Sequence, residues 1–201
     1  TMSGTSGAGT IHDSATGVSN ATSITQSVSQ TSGFSITKFA GHNDGVAFPH
    51  NLGGTPAFIL IKNLGTQGWY AWHQKLTATS TYFLSLSTDA PQSSDANTFS
   101  TAPSPTIITG GSEGGSGGTS GSNYICYAWK AVAGVSAFGS YEGTGGALTV
   151  SGLGFTPSFL LIKNIDNADN WMLCDKFRGF GSSGNADGHE LYANWNYAEY
   201  A

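Results

Sequence analysis

Charged residues are scarce in this chain. Only 9% of its 201 residues are Asp, Glu, Lys or Arg, whereas soluble domains usually have about 25%. Seven residues are basic and twelve acidic, which gives a formal net charge of −5. Nucleic-acid binding needs a basic surface that neutralises phosphates. The composition therefore argues against a nucleic-acid partner.

Long apolar runs and helical periodicity are also missing. No apolar run approaches the roughly 18 residues of a transmembrane helix, and no basic segment followed by an apolar one marks a secretory signal. No stretch keeps a 3.6-residue period with strong helix formers for three turns. In their place stand 29 glycines and 12% aromatic residues. We therefore predict a β-rich protein that does not insert into a membrane.

Cysteine is limited to Cys126 and Cys174. They form no CxxC pair that would suggest metal or redox chemistry. Free cysteine behaves as a small hydrophobic residue, so the sequence favours buried free thiols. A disulfide between the two is the alternative.

Signatures of catalysis and metal binding are lacking as well. The five histidines have no HxH or HExxH spacing. No pair of carboxylates lies as a pair in a repeated or strongly stranded stretch, and Asp169 with Asp175 comes nearest to a candidate for glycoside hydrolysis. Gly110–Gly118 is not followed by the Lys-Ser/Thr of a phosphate-binding loop, so it is predicted to be a flexible surface loop. Alternating Asx oxygens at 166–170 suit calcium, but an ordinary Asx turn is favoured. We predict no enzyme, no cofactor and no metal.

A two-part motif occurs twice. Thr55–Asn63 recurs as Thr156–Asn164 at an offset of 101, and Trp69–His73 recurs as Trp171–Asp175 at an offset of 102. In each copy a proline, which suits the first position of a strand, precedes a short apolar run. A polar Asn-rich or Gly-rich segment then turns the chain. Each copy predicts a β-hairpin whose second arm carries aromatic or apolar residues.

The rest of the chain is divided around this duplication. Residues 1–32 are rich in Ser, Thr and Gly and predict an extended arm or linker that pairs with something larger. Residues 33–201 form the duplicated region, with a first copy at about 33–133 and a second at about 134–201. Counterparts of residues 106–130 do not appear before Ala201, so either the polypeptide continues or the second copy is abbreviated.

Several turn and strand motifs together suggest a family. They are Gly33–Ile36, Leu52–Lys62, Tyr124–Ala128, Phe138–Tyr141 and Gly152–Pro157. With these motifs the chain resembles a duplicated β-rich family of unknown function that recurs in predicted tail-fibre and other virion proteins of marine tailed bacteriophages. The similarity covers about residues 33–201. It implies a structural or adhesive role on a virion and carries no catalytic residues across.

The fold predicted from these patterns is all-β. We expect an antiparallel β-sandwich of jelly-roll or lectin type, built from two similar halves packed around the strands of Phe58 and Phe159, with the N-terminal arm extended. The resemblance further implies a homo-oligomer, with trimers usual for phage fibres, and contacts with other virion proteins. It places the protein in a surface appendage of the virion that acts outside the cell.

Aromatic and amide side chains provide the candidate site. Trp, Tyr, Asn and Asp can stack on and hydrogen-bond sugars, which present both an apolar ring face and hydroxyl groups. Trp69 and Trp171, in the repeated motif, are expected to fill the core. A glycan contact is predicted where aromatic and amide residues follow the second copy in a polar setting: Asn194, Trp195, Tyr197 and Asp187.

Three functions remain open. The main hypothesis is a tail-fibre or appendage subunit that presents loops to a bacterial surface and binds its glycans. The second is a purely structural piece of a fibre, capsid decoration or extracellular filament, with no ligand. The third is a polysaccharide-degrading tail enzyme.

Overall fold

The computed structural model describes residues 3–12, 19–178 and 190–199, which form β-strands and no helix. The strands are β1 Ser3–His12, β2 Ser19–Ser29, β3 Phe34–Ala40, β4 Val46–Pro49, β5 Phe58–Asn63, β6 Trp69–His73, β7 Tyr82–Ser85, β8 Ser93–Ser94, β9 Ile107–Gly110, β10 Asn123–Trp129, β11 Phe159–Ile162, β12 Met172–Asp175 and β13 Leu191–Tyr192. The predicted all-β class is confirmed.

Seven strands make the main sheet, in the order β7-β6-β5-β10-β3-β2-β1, and every neighbouring pair is antiparallel. The β4–β9 pair joins the edge of this sheet through a single residue pair, Thr10 with Ala47. Strand β8 pairs with β7. A separate three-stranded sheet has the order β11-β12-β13.

Part of the core lies between the main sheet and the β4–β9 pair. Strand β10 turns one face toward the core, because Tyr124, Cys126 and Ala128 are buried while the residues that alternate with them are more exposed. The ring of Phe48 in β4 stacks on Phe39 in β3, with centroids 4.5 Å apart. This contact brings the two layers together as a sandwich.

Strand β2 is an integral part of the main sheet. It pairs with β3 from Thr25 to Ser29, and Ile24 and Val28 are buried. Gln26 is buried too, and its amide nitrogen donates to Thr37 Oγ1 at 2.8 Å and to the Pro49 carbonyl at 2.7 Å. Pairing therefore continues across the predicted boundary at residue 33, and the core begins before it.

The glycine-rich segment Gly110–Gly118 is packed, contrary to the open surface loop expected from its composition. Glycine is needed there because the backbone approaches its surroundings closely: a Cβ on Gly111 would lie 1.9 Å from the Asn97 carbonyl oxygen. The hydroxyl of buried Tyr124 donates to the Gly114 carbonyl at 2.6 Å. Close packing, and not freedom of motion, explains these glycines.

The two copies of the repeated motif form hairpins in the same register. In the first hairpin Phe58 faces His73, and in the second Phe159 faces Asp175. The remaining pairs also correspond, and a third strand follows each hairpin, β7 in one and β13 in the other. We call β5-β6-β7 the first unit and β11-β12-β13 the second unit.

The segments that precede the two units differ. Residues 34–40 form β3 in the main sheet, whereas residues 139–158 are exposed over most of their length and form no strand. The structural correspondence is therefore clearest in the three-stranded units.

The units meet through Trp171. This side chain is only 3% exposed, and its indole N–H donates to the Ser85 carbonyl at the end of β7, at 2.9 Å. The Asp169 amide donates to the Asp89 carbonyl at 2.8 Å, and the Gln92 amide donates to the Ile165 carbonyl at 3.0 Å. The second unit is thereby fixed against the edge of the first.

Candidate functional site

A cleft of about 540 Å³ lies where the second unit meets the first. One side is formed by the start of β6 and the end of β7, and the other by the chain that follows β13. The lining residues are Trp69, Leu86, Ser87, Ala193, Asn194, Trp195 and Asn196.

Equivalent positions in the two units shape this cleft. The Trp69 amide donates to Ser87 Oγ at 2.9 Å, and the Trp171 amide donates to Asn194 Oδ1 at 2.8 Å. Ser87 and Asn194 are therefore equivalent. In each unit the side chain accepts a hydrogen bond from the backbone amide of the tryptophan that begins the second arm of the hairpin. The bonds that follow match as well, from Leu86 to the Trp69 carbonyl and from Ala193 to the Trp171 carbonyl, both 3.0 Å.

The two equivalent tryptophans have different surroundings. Trp171 is buried against the first unit, whereas Trp69 is half-buried and lines the cleft. The Trp69 ring is also 6.0 Å from the ring of Tyr127 in β10. The expectation that both would be core residues is right for Trp171 and wrong for Trp69, because only Trp171 is covered by the other unit.

Trp195 and Tyr197 form an exposed aromatic pair. Trp195 is 50% exposed and Tyr197 65% exposed. Their rings meet edge to face, with centroids 4.4 Å apart, the geometry that aromatic pairs favour. The Trp195 amide donates to the Tyr192 carbonyl at 3.2 Å, which closes a turn after β13 and sets the indole at the cleft.

Asn194 lines the cleft, but its amide group is engaged within the second unit. Its Oδ1 accepts from the Trp171 amide, and its Nδ2 donates to Asn170 Oδ1 at 2.8 Å. The residue therefore holds the Trp195 turn against β12. Asp187, the fourth predicted glycan contact, lies outside the described residues.

The cleft is neutral. Its lining residues supply two indoles, two aliphatic side chains, two amides and one hydroxyl, and none of them carries a charge. Flat apolar rings beside neutral hydrogen-bonding groups match a sugar, which has a C–H face and hydroxyl edges. Ser87 and Leu86 could not be identified as site residues from sequence, because only the register places them opposite Trp195.

A second, smaller cleft of about 300 Å³ lies beside the β4–β9 pair and includes Asp44. This carboxylate is 3.3 Å from His42 Nδ1. Asn43 between them accepts the Ser120 amide at 3.0 Å. The polar side chains of this loop thus bind one another and the neighbouring loop.

The carboxylates considered for hydrolysis are used in turns. Asp175 Oδ2 is 2.6 Å from Arg178 Nη2, and the hydrogen bond from Arg178 lowers the pKa of Asp175. A general acid needs a raised pKa. Asp169 Oδ1 accepts the Asn170 amide at 2.9 Å.

The Asx segment after β11 has a turn geometry. Asn164 Oδ1 accepts the amides of Asp166 and Asn167 at 3.0 and 3.1 Å, as Asn63 Oδ1 accepts that of Gly65 at 2.7 Å in the first unit. Within the described ranges no three His, Cys, Asp or Glu side chains gather to hold a metal ion. No helix there is long and apolar enough to cross a membrane.

Both cysteines are free thiols in the structure, as the sequence favours, but only Cys126 is buried, whereas Cys174 is half-buried. Cys126 is fully buried, and burial raises its pKa far above the ordinary value. Burial also raises the pKa of Cys174, with smaller contributions from Glu190 and Asp175. A raised pKa keeps the thiol protonated and unreactive.

Comparison with known proteins identifies one family. Its model, described as Domain of unknown function (DUF7483), matches residues 8–201. The comparisons find no match among curated proteins or solved structures.

Proposed function

The chain belongs to the DUF7483 family, and we propose that it is an adhesion module that binds a surface glycan in the cleft between Trp69 and Trp195. The observation that supports this most is that two partly exposed indoles, those of Trp69 and Trp195, line the same neutral cleft. Because no charged group lines the cleft, the ligand is a neutral glycan segment.

The parts of the cleft have different tasks in this proposal. Trp195 stacks on a sugar ring, with Tyr197 supporting its edge at 4.4 Å. Trp69 provides the facing wall, and Ser87 and Asn196 supply hydroxyl and amide groups to the sugar edge. Asn194 positions the Trp195 turn through its own hydrogen bonds.

The biological setting follows from the resemblance of the sequence to virion proteins. We propose a subunit of a tail fibre or other appendage, outside the cell, assembled as a homo-oligomer with other virion proteins. Repetition of one weak sugar site in an oligomer would raise avidity by orders of magnitude without any new contact. A trimer fits this proposal.

A glycan array with the purified protein tests the binding function. We expect binding to neutral glycans by the unmodified protein and loss of that binding with Trp195→Ala. Tyr141→Ala is the matched control, because Tyr141 is also an exposed aromatic residue but does not line the cleft. Equal binding by the Trp195→Ala protein would contradict the proposed site, and no binding by the unmodified protein would contradict the function.

A purely structural role is the second candidate, and a specific observation favours it. Phe159 at the start of β11 is 54% exposed, and other apolar side chains before it are exposed as well. Such a surface is typical of a site covered in an assembly. A protein that binds no glycan but is needed for particle assembly would have this role.

A further inference from the structure

Four aromatic side chains form a row on the face of the main sheet that β10 turns away from the core. They are Trp69 of β6, Tyr127 and Trp129 of β10, and Phe34 of β3. The centroid of the Tyr127 ring is 6.0 Å from that of Trp69, 6.3 Å from that of Trp129 and 6.4 Å from that of Phe34. The Trp129 and Phe34 rings are 4.9 Å apart. We call these four residues the aromatic row.

The strand register explains why the four rings share a face. Trp129 lies opposite Phe34, and Tyr127 shares the face of Trp129 because side chains alternate along a strand. Trp69 is on the same face through the pairing of β5 with β6 and with β10. All four residues are half-buried, so each ring keeps part of its surface open to solvent.

Neighbouring rings in the aromatic row are close to parallel. The angle between ring planes is 28° for Trp69 and Tyr127, 22° for Tyr127 and Trp129, and 29° for Trp129 and Phe34. Rings with similar orientations at this spacing can contact successive units of one straight polymer.

The aromatic row begins in the cleft. Trp69 lines the cleft and is also the ring nearest to Tyr127. At the other end, Ser29 of β2 lies opposite Phe34, and Ser27 lies on the same face, also half-buried. Hydroxyl groups beside aromatic rings continue the chemistry that the cleft offers to a sugar.

Charge is sparse along the aromatic row. The strands that carry it, β3, β6 and β10, contain no carboxylate. Lys62, opposite Trp69 in β5, donates to the Asn63 and Gln67 carbonyls and so is engaged by its own turn. Lys38 is exposed to solvent at the border of the row. A neutral polymer can therefore lie on the rings without burying an unpaired charge.

We propose that the ligand is a straight chain of β-1,4-linked neutral sugars that runs from the cleft along the aromatic row. This proposal rests on the glycan-binding function proposed above. Equatorial β-1,4 bonds keep a sugar chain extended and ribbon-like, whereas α-1,4-linked chains coil. One sugar lies between Trp69 and Trp195, and those that follow it stack on Tyr127 and Trp129.

Chain length tests the proposal. Calorimetric titration of the full-length protein should include cello-, manno- and xylo-oligosaccharides. In at least one of these series the hexamer should bind at least tenfold more tightly than the dimer. Malto-oligosaccharides, which are α-linked, should show no such gain. In ¹⁵N spectra the dimer should shift the indole signals of Trp69 and Trp195, and the hexamer should shift that of Trp129 as well.

Variants at Tyr127 locate the contact. Tyr127→Thr removes the central ring but keeps a residue suited to a strand. It should lower the affinity for the hexamer to that for the dimer and leave dimer binding unchanged, which also shows that the variant is folded. Tyr127→Phe, which retains the ring, should keep the affinity for the hexamer.

Phe83→Thr is the matched control. Phe83 is also a half-buried aromatic residue of a strand, but it stacks on Tyr70 on the opposite face of the sheet. This variant should bind both chain lengths as the unmodified protein does.

Separate results would overturn this proposal and the proposed function. Binding of a neutral glycan that does not depend on chain length, or equal hexamer binding by Tyr127→Thr, would confine the ligand to the cleft and overturn only this proposal. Self-association that Tyr127→Thr abolishes would assign the face to a subunit interface and overturn it too. Absence of binding to any neutral glycan would contradict the proposed function itself.

Discussion

At the scale of single residues, buried polar groups are the most informative. Ser35 is almost fully buried in β3, and its hydroxyl has no hydrogen-bond partner in the described part of the chain. Its neighbour Thr37 is buried as well but accepts from Gln26. An unsatisfied buried polar group costs about 1–3 kcal/mol.

Ser35→Ala should therefore raise the free energy of unfolding by about 1 kcal/mol, because it removes that penalty without leaving a cavity. Urea unfolding measures the change. Thr37→Val, which breaks the bond from Gln26, should lower the same quantity. A loss of stability with Ser35→Ala would mean that the hydroxyl has a partner.

His50 makes the free energy of unfolding depend on pH. It is fully buried, its Nδ1 accepts the Leu52 amide at 3.2 Å, and its Nε2 is 3.2 Å from the Ser104 carbonyl. These partners select the neutral form with the proton on Nε2. Burial lowers the pKa of His50 below its ordinary 6.5, although the bond to Ser104 acts in the opposite direction.

The direction of the pH effect on stability follows from comparing the pKa of His50 in the folded protein with its ordinary value in the unfolded chain. Below pH 6.5 the unfolded chain binds a proton at His50, whereas the folded chain binds it only at a lower pH. The contribution of neutral His50 to the free energy of unfolding is therefore fully present above pH 6.5 and is lost as the pH falls. The loss is at most about 1.4 kcal/mol per pH unit. Urea unfolding at pH 7.5 and 5.5 should show a smaller difference for His50→Gln than for the unmodified protein.

Part of that pH dependence remains in the variant. Burial and the nearby Lys75 both lower the pKa of His73, so it acts in the same direction. An unchanged difference between the two pH values in His50→Gln would show that His50 does not couple folding to protonation.

At the scale of elements, the two hairpins make a natural comparison. Phe58 and Phe159 occupy equivalent positions, but only Phe58 is covered by β10. Phe58→Ala should lower the free energy of unfolding by about 3–5 kcal/mol. Phe159→Ala should change it by less than about 0.5 kcal/mol, as is usual for exposed positions. Similar losses at both positions, measured by urea unfolding, would contradict the asymmetry between the units.

Sequence predicts the hairpins well, because proline, an apolar run and Asx turns are local signals. The shared register follows from them, and so does the equivalence of the third strands. Burial is not local. Trp69 and Trp171 have the same place in the motif, yet only the packing of the units decides which is buried. The prediction of a flexible loop for the glycine-rich segment fails for the same reason, since its backbone packs closely against Asn97 and Tyr70, which are distant in sequence.

The candidate site shows the same limit. Trp195 and Tyr197 could be chosen from their aromatic, polar setting, and they are exposed beside a cleft. Asn194 is predicted from sequence to contact the ligand, but the strand register makes it the counterpart of Ser87, and its amide group has two partners within the second unit. The place of Trp69 in the cleft could not be predicted from sequence, because it depends on how the second unit packs against the first.

At the scale of the whole molecule, Trp171 fixes the second unit to the first. Trp171→Ala should cost about 3–5 kcal/mol, since it empties a buried site and leaves the Ser85 carbonyl without its donor. Limited proteolysis should then cleave near residues 159–175 first. Trp69→Ala, the equivalent substitution, should leave that resistance intact. Unchanged protease resistance in Trp171→Ala would contradict its role.

The central claim is that a glycan lies between Trp69 and Trp195. The five tryptophans give five indole N–H signals in an NMR spectrum of the ¹⁵N-labelled protein. Titration with a neutral glycan bound on the array should shift the signals of Trp69 and Trp195. Those of Trp72 and Trp171, which donate to the Thr79 and Ser85 carbonyls, should stay in place. Binding that leaves both Trp69 and Trp195 unshifted would contradict the account.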